Sequence, residues 1–408
     1  RLRKVLVTAS GHVPYYRELF RKASFDPQRE FTSPNDLARV PVTTRCDLNR
    51  LPPAHLLHQG LALRWCHVEN TSGSTGIPLE VYRNHWERGI EMAKWLRVLL
   101  ANGYRFRDTV YTVSQPDLNA PDTRSLVQRL GLLRRTVMTY RDSIESMVEA
   151  LLEQAPQVVY ACVNHLFLLS VELERRNTRP RGLKFVVAVG EVLHRGVRDF
   201  ISRSFGARVV ESYGSVEMGT MAFERPGGSG LWLCEDSTFF EFLDQEDKPV
   251  PPGSPGRVVV TDLHAVTMPF IRYDLGDWAV HELVTGEAGL RRRVITRVEG
   301  RVVDLVLLPD GSRTSDGFFY RTLGSFPDIR QYQVVQESIA HFRVRVCAAG
   351  HGFEDLRKKL NAALATWPYP GSFTIERVDA IKPDATGKVK PFVSRLGQVV
   401  VSPPDQQG

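Results

Sequence analysis

The stretch Thr71–Pro78, TSGSTGIP, concentrates hydroxyl groups and two glycines immediately before an alternating, strand-like run. Glycines let a backbone turn its N–H groups inward and hydroxyls add donors, so such a loop can enclose a di- or triphosphate. It can equally be a surface turn, where the same residue types are favoured for local reasons. No Gly-Lys-Ser/Thr closes it, so it is not a Walker A loop. Four further polar stretches follow in order: ESYGSVEMG (Glu211–Gly219) at the end of a predicted strand, YDLGD (Tyr273–Asp277), VEGRVVD (Val298–Asp304), and PDATGKVKPF (Pro383–Phe392) near the end of the chain. Taken one at a time, Tyr213 reads as a core tyrosine, Asp277 as a turn acid, Arg301 as a surface arginine and Lys388 as a solvated loop lysine.

The elements that must position these residues fall into three textures. The N-terminal part reads as helices. VPYYRELFRKA puts Tyr16, Leu19 and Phe20 on one helical face after Pro14 in the first turn, and SPNDLARVPVTTRCDLNRLPP is a pair of short helices punctuated by proline. After the loop, strands and helices alternate. LEVYR, VYTV, QVVYAC, LKFVVAVG and RVVESYG read as strands. The helix in HWERGIEMAKWLRVLLANG carries Trp86, Ile90, Ala93, Leu96 and Leu100 at helical spacing and stops near Gly103. The helix in DSIESMVEALLEQ is capped by Asp142 or Ser143. Continuous apolar strands between helices predict a parallel sheet covered on both faces. From about Leu231 short strands separated by Gly/Pro turns predict an antiparallel β-rich part. Beyond VEGRVVD a small α+β unit of about one hundred residues follows, an ordinary domain size.

With 408 residues the chain is too long for one compact core. Hydrophobic content of 42% and charged content of 24% describe an ordinary soluble globular protein, and no apolar run is long enough to span a membrane. The N-terminal RLRKVLVTASGHV is basic but lacks the apolar core and cleavage pattern of a signal peptide. Cys46, Cys66, Cys162, Cys234 and Cys347 are scattered, odd in number and form no CxxC, which fits free thiols in a reducing cytoplasm and argues against a zinc site. The net charge of +7 reads as a basic surface or as attraction for an anionic ligand such as a nucleotide. Nucleic acid is not expected, because no Lys/Arg block with interleaved aromatics occurs.

The ordered set of five stretches resembles the adenylate-forming superfamily of acyl-CoA synthetases, peptide-synthetase adenylation domains and luciferases. It is most similar to the phenylacetate–CoA ligase branch and its capsule-biosynthesis relatives, whose opening HVPYYRELFRKASFDP and LARVPVTTRCDL also resemble. The resemblance covers essentially the whole chain. It implies an α/β fold with a large N-terminal domain, residues 1–302, whose parallel sheets are covered by helices and whose β-rich part spans about 231–302. A small mobile α+β domain, residues 303–408, would carry the catalytic lysine. By this resemblance Thr71, Ser72, Gly73, Ser74, Thr75 and Gly76 hold the β- and γ-phosphates of ATP. Glu211, Ser212, Tyr213 and Gly214 form part of the nucleotide site, with Tyr213 stacking on adenine. Gly190 and Glu191 line the adenine side, although Glu191 reads equally well as an acid at a helix N-terminus. Glu217 would hold Mg²⁺, Asp277 would accept from the ribose hydroxyls, Arg301 would donate to the ribose and phosphate region, and Lys388 would bridge the substrate carboxylate and the α-phosphate.

Four positions depart from the family pattern. Val216 replaces the hydroxyl residue usual before the metal-binding Glu, Ile77 replaces a lysine, Val303 stands at the hinge position with Asp304 next, and LPDGSRTSDGFFYRTLG lacks the usual Gly-turn. The activity implied is activation of a small aryl or arylacetic acid as acyl-AMP, followed by transfer to CoA. Transfer to a carrier-protein thiol or an amine is the rival enzyme reading, and a degenerate nucleotide-binding module is the non-enzyme one. Acid specificity is expected from side chains between about Tyr111 and Glu217, including YACVNHLF. The location expected is the cytoplasm, with no membrane partner, and a homodimer is left open.

Overall fold

The computed structural model describes residues 1–71, 79–114, 128, 130–285, 289, 291–301, 306–311, 313–314, 317–324, 326, 328–348, 352–381, 389 and 391–396. The chain divides into two compact units, Arg1–Leu193 with Arg198–Val303, and His194–Val197 with Asp304–Gly408.

The first unit opens with helices Leu2–His12 and Pro14–Lys22, the second begun by Pro14 in its first turn. Val5, Leu6, Ala9, Tyr16 and Phe20 recur at helical spacing and are buried together with Phe25, Leu37 and Ile271. Tyr16 is tied down as well as packed, since the Ile271 N–H donates to its hydroxyl at 3.0 Å. Strands β1 (His67–Asn70) and β2 (Glu80–Arg83) pair antiparallel, Asn70 opposite Glu80 and His67 opposite Arg83.

The main sheet holds β3 (Val110–Ser114), β4 (Arg135–Thr139), β5 (Val158–Cys162), β6 (Phe185–Val189), β7 (Arg208–Ser215), β8 (Gly219–Glu224), β9 (Leu231–Leu233), β10 (Thr238–Leu243), β11 (Pro255–Asp262), β12 (Tyr273–Thr285) and β13 (Arg291–Arg301). Among the described residues its order is β10-β11-β12-β13-β9-β8-β7-β6-β5-β3-β4. From β4 to β7 neighbours are parallel. These are the apolar runs VVYAC and FVVAV, buried on both faces, as a parallel sheet requires. From β8 onward neighbours are antiparallel. Sequence texture placed the β-rich part from about Leu231; antiparallel pairing begins one hairpin earlier, at Gly219, and continues the parallel strands in the same sheet.

The glycines of that hairpin have physical reasons. A Cβ on Gly214 would lie 2.3 Å from the Gly219 carbonyl oxygen, so the strands can approach only without one. Gly219 itself has φ +62, the left-handed region.

The helix His85–Ala101 is present as the sequence predicts. The apolar residues at helical spacing do not form its buried face: Trp86 is 74% exposed and Leu100 43%. Glu87, Lys94, Val98 and Leu99 are buried instead. Two of these four are charged, and each has found partners in the surrounding backbone, which periodicity cannot register. Glu87 accepts from the Thr267 N–H at 2.8 Å and from the Asn84 N–H at 2.8 Å. The helix starts with a reciprocal cap, the Asn84 side chain accepting from the Glu87 N–H at 3.0 Å. The helix Ile144–Gln154 is capped by Ser143, which accepts from Ser146 N–H at 3.1 Å.

In the second unit a four-stranded sheet runs β18 (Ser372–Arg377), β17 (His341–Ala348), β16 (Ile329–Ser338), β19 (Phe392–Ser394). Strands β16 and β17 are antiparallel, and each takes a parallel neighbour on its other side. Leu356, Leu360 and Leu364, one turn apart on the helix Phe353–Leu364, are buried, and Phe319, Phe342, Trp367 and Phe392 fill the rest of the core. The fully buried Gln336 donates to the Leu307 carbonyl at 2.7 Å and accepts from its N–H at 3.1 Å, so strand β14 (Val306–Leu307) is held by a side chain.

Asn84→Ala removes the cap and the 2.9 Å bond from Asn84 Nδ2 to the Thr267 hydroxyl. The expected loss is about 1–2 kcal/mol, read as a lower urea midpoint with an unchanged denaturant slope.

Candidate active site

Strands β1 and β2 form an antiparallel stem on either side of the stretch quoted first. Thr71 closes the stem: its N–H donates to the Leu79 carbonyl at 3.0 Å, and its hydroxyl accepts from the Leu79 N–H at 2.8 Å. Thr71 is therefore held by the stem through both its backbone and its side chain. Ser72, Gly73, Ser74, Thr75, Gly76 and Ile77 lie outside the described residues, as do Val303 and Lys388.

The stem is bound to the turn after β7. Arg83, at the end of β2, donates to the Glu217 carbonyl at 3.0 Å and to the Val216 carbonyl. The Val216 side chain packs against the apolar cluster that includes Met218, Met221 and Tyr273. The Glu217 carboxylate is buried and meets two groups from distant parts of the chain. Arg45 Nη2 donates to its Oε1 at 2.7 Å, and the Tyr273 hydroxyl donates to the same oxygen at 3.0 Å. Burial opposes its charge, but the Arg45 guanidinium and the hydrogen bonds outweigh burial and hold the carboxyl below its ordinary range. Tyr273 is driven the other way, by burial and by the Glu217 charge, and stays a neutral donor.

Tyr213 and Asp277 also come together. The Tyr213 hydroxyl donates to Asp277 Oδ2 at 2.8 Å. Asp277, on β12, pairs in register with Arg301 on β13, so the backbone of Arg301 is beside it. On the parallel side Val189 pairs with Ser212, which sets Gly190 next to Tyr213 at the C-terminal ends of β6 and β7. Gly190 has φ +77, so the turn there suits glycine. Ligands of open α/β sheets bind at this edge of the strands.

Two predicted residues have protein partners of their own. Glu191 Oε2 accepts from the Asn164 N–H at 2.7 Å, in the first turn of the helix Val163–Arg175. It is an acid at a helix N-terminus, though of the helix before it and not the one after. Glu211 Oε2 accepts from Arg198 at 3.0 Å, and Arg198 is shared with Glu224. Burial pushes the Glu211 carboxyl up to about 7, against the pull of Arg198 and with the help of Glu224. In the stretch expected to shape acid specificity, His165 is buried, stacked on Tyr140 at 4.3 Å, and burial favours its neutral form.

The sequence reading gave no role to Arg45, Arg83, Lys94 or Tyr273. Arg45 and Tyr273 stand inside the quoted stretches LARVPVTTRCDL and YDLGD, but nothing local marks what they touch: Arg45 opens a five-residue helix, Arg83 ends a strand, and Glu217 lies more than one hundred residues from both.

No protein-family model matches the chain. A phenylacetate–coenzyme A ligase of Thermus thermophilus is 26% identical over 329 residues, 76% of this chain and 70% of that protein. A phenylacetate–coenzyme A ligase of Aromatoleum evansii is 24% identical over 318 residues, with the same coverage of both chains. The chain has phenylacetate–coenzyme A ligases as homologues. Its fold is that of solved acid–CoA ligases. The crystal structure of 2-hydroxyisobutyryl-CoA ligase in the postadenylation state with an acyl-AMP aligns over 96% of this chain and 88% of that one, with a TM-score of 0.80 and 21% identity. The anthranilate CoA ligase in complex with anthranoyl-AMP aligns over 79% and 65%, with a TM-score of 0.58 and 16% identity. The mixed α/β architecture expected from the sequence is the one found.

The raised Glu211 carboxyl makes stability pH-dependent. The folded state holds this proton more tightly than the unfolded chain does, so its contribution is present at low pH and is lost as pH rises through about 7. Glu211→Gln should flatten the fall in unfolding midpoint between about pH 4.5 and 7; thermal melts across that range check it.

Proposed function

We propose that this protein is an ATP-dependent acid–thiol ligase that makes an acyl adenylate from a small, aromatic carboxylic acid and transfers the acyl group to CoA. The observation that carries the reading is the convergence of three separate stretches. The stem of the TSGSTGIP hairpin, the Glu217 turn and the Tyr213–Asp277 pair are joined by Arg83, Tyr273 and one sheet edge.

A carboxylate is a poor electrophile, and adenylation corrects this. A carboxylate oxygen attacks the α-phosphorus of ATP, the bond to the pyrophosphate oxygen breaks, and pyrophosphate leaves. The thiol sulfur then attacks the acyl carbon, the bond to AMP oxygen breaks, AMP leaves with the electron pair, and the thiol proton passes to solvent. In this reading Tyr213 offers a ring face to adenine while its hydroxyl orients Asp277, which accepts from the ribose. Gly190 lets the chain pass close to the base, Arg301 donates near the ribose and phosphates, and residues 71–76 take the β- and γ-phosphates. Lys388 bridges the carboxylate and the α-phosphate as a point charge.

The residues fit Mg²⁺. Glu217 is a lone ionised carboxylate, and no cluster of three or more His, Cys, Asp or Glu suited to a metal occurs among the described residues. Mg²⁺ typically takes one or two carboxylates and completes its shell with phosphate oxygens and water. When bound, the ion would neutralise phosphate charge, and Arg45 and Tyr273 would hold the Glu217 oxygen that faces them. The five scattered cysteines fit a reducing cytoplasm. The departure at Val303 favours a second reading of the acceptor, a carrier-protein thiol or an amine, and sizing in solution decides between a monomer and a homodimer.

Exchange of labelled pyrophosphate into ATP should depend on a small aryl or arylacetic acid. Consumption of the adenylate should depend on CoA. No exchange across a broad acid panel with Mg²⁺ present would sink the proposal, and release only to a carrier or amine would move it to the second reading.

Lys388→Ala should lower adenylation by about two orders of magnitude or more while leaving transfer from supplied acyl-AMP nearly intact. An equal fall in both half-reactions would contradict the role given to Lys388.

A further inference from the structure

The turn that carries Glu217 rests on two buried cations. Three consecutive carbonyls point at them. Those of Val216 and Glu217 accept from Arg83, and that of Met218 accepts from Lys94 Nζ at 3.0 Å. Both cations are deeply buried, Arg83 at 6% exposure and Lys94 at 2%. Glu91 lies between them, 3.6 Å from Arg83 Nε and 3.9 Å from Lys94 Nζ. Glu69 on β1 takes the other side of Arg83 at 2.9 Å, and Asp262 is 3.8 Å from Lys94. The next residue closes the fit, because a Cβ on Gly219 would meet the Glu91 carboxylate at 2.6 Å.

Such a group of charges is an expensive way to pack a core. Desolvating ions costs several kcal/mol each, and apolar residues of equal volume are often as good or better for stability. What buried charges can supply is fixed geometry. Here the geometry fixed is that of one turn. A guanidinium reaching two successive carbonyls sets their directions together, and the ammonium sets the third. Arg83 also belongs to the hairpin stem, so the stem and the Glu217 turn are fixed to each other and not merely adjacent.

We propose that Arg83 and Lys94 are positioning residues for MgATP: they lock the backbone of Val216–Met218 onto the hairpin stem and thereby set the Glu217 carboxylate. This rests on the ligase reading for its functional part. It also bears on Val216. The hydroxyl usual at that position is absent, and the backbone of Val216 is held through its carbonyl instead.

The test uses the full chain with Arg83→Lys, Lys94→Met and the double variant R83M/E69Q, in which the carboxylate paired with Arg83 at 2.9 Å is neutralised together with it. Arg83→Lys keeps the charge but reaches only one carbonyl. It should raise KM for MgATP about tenfold, with KM for the acid and binding of AMP each within about twofold. Lys94→Met should act in the same direction, and R83M/E69Q more strongly than Arg83→Lys. Independently of activity, amide hydrogen exchange in a peptide covering residues 215–220 should quicken at least about tenfold in each folded variant, while β3 and β5 keep their protection. Unchanged exchange in residues 215–220, or a fall in kcat with KM for MgATP unmoved, overturns the proposal and leaves the cations a fold-wide role. A wild-type chain with no acid-dependent pyrophosphate exchange overturns the ligase reading instead, and the hydrogen-exchange result then decides by itself whether the turn is locked.

Discussion

A carboxylate taken out of water must be given a counter-charge and hydrogen bonds, or it will take up a proton. Glu217 is 3% exposed and stays ionised, and the arrangement around it follows from that requirement. Arg45 supplies the charge and Tyr273 a further donor on the same oxygen. Each of these must itself be held. Arg45 sits at the start of a short helix whose Thr44–Asp47 capping box fixes its first turn. Tyr273 begins β12, where Thr43 bridges to it. The backbone under Glu217 is held from the opposite side by Arg83 and Lys94. A single ionised side chain thus ties together the N-terminal helices, the hairpin stem, the long helix His85–Ala101 and the sheet.

The sheet explains why the site forms where it does. Parallel strands β5, β6 and β7 all end at one edge, and the chain there turns into helices or hairpins. The reversal at Gly214–Gly219 returns the chain along β7 instead of crossing over, so the residues of the turn remain at that edge. Strand β12 then brings Tyr273 and Asp277 to the same place. The hydrogen bond from Tyr213 to Asp277 joins the parallel part of the sheet to the antiparallel part at the site.

What the sequence disclosed depended on how local the signal was. The strands VVYAC and FVVAV, and the cap expected from Asp142 or Ser143 and supplied by Ser143, are set by neighbours within a few residues and follow from the sequence. The buried face of His85–Ala101 was not legible, because Glu87 and Lys94 are satisfied by backbone groups at 267 and 218. A periodicity argument assigns charged residues to water unless it knows of such partners. The order of the five polar stretches pointed to Glu217, Tyr213 and Asp277; Arg45 and Tyr273 lie inside quoted stretches as well, but that they hold the Glu217 carboxylate, and that Arg83 holds its backbone, is specified only by the folded chain. Glu191 was legible as a helix-end acid, yet the helix it serves is reached through space, across from Asn164.

The Arg45–Glu217 pair has a consequence for how the chain comes together. Its members are 172 positions apart. In a chain made from its N-terminus, Arg45 is therefore present throughout synthesis of β1 to β7 before its anion exists. The helices, hairpin and parallel strands made in that interval are enclosed by this one ionic contact. Shortening the first fifty residues would remove no part of the five polar stretches, but it would strand Glu217 without its cation. The N-terminal helices are thus part of the electrostatics of the site, although they contribute none of its five polar stretches.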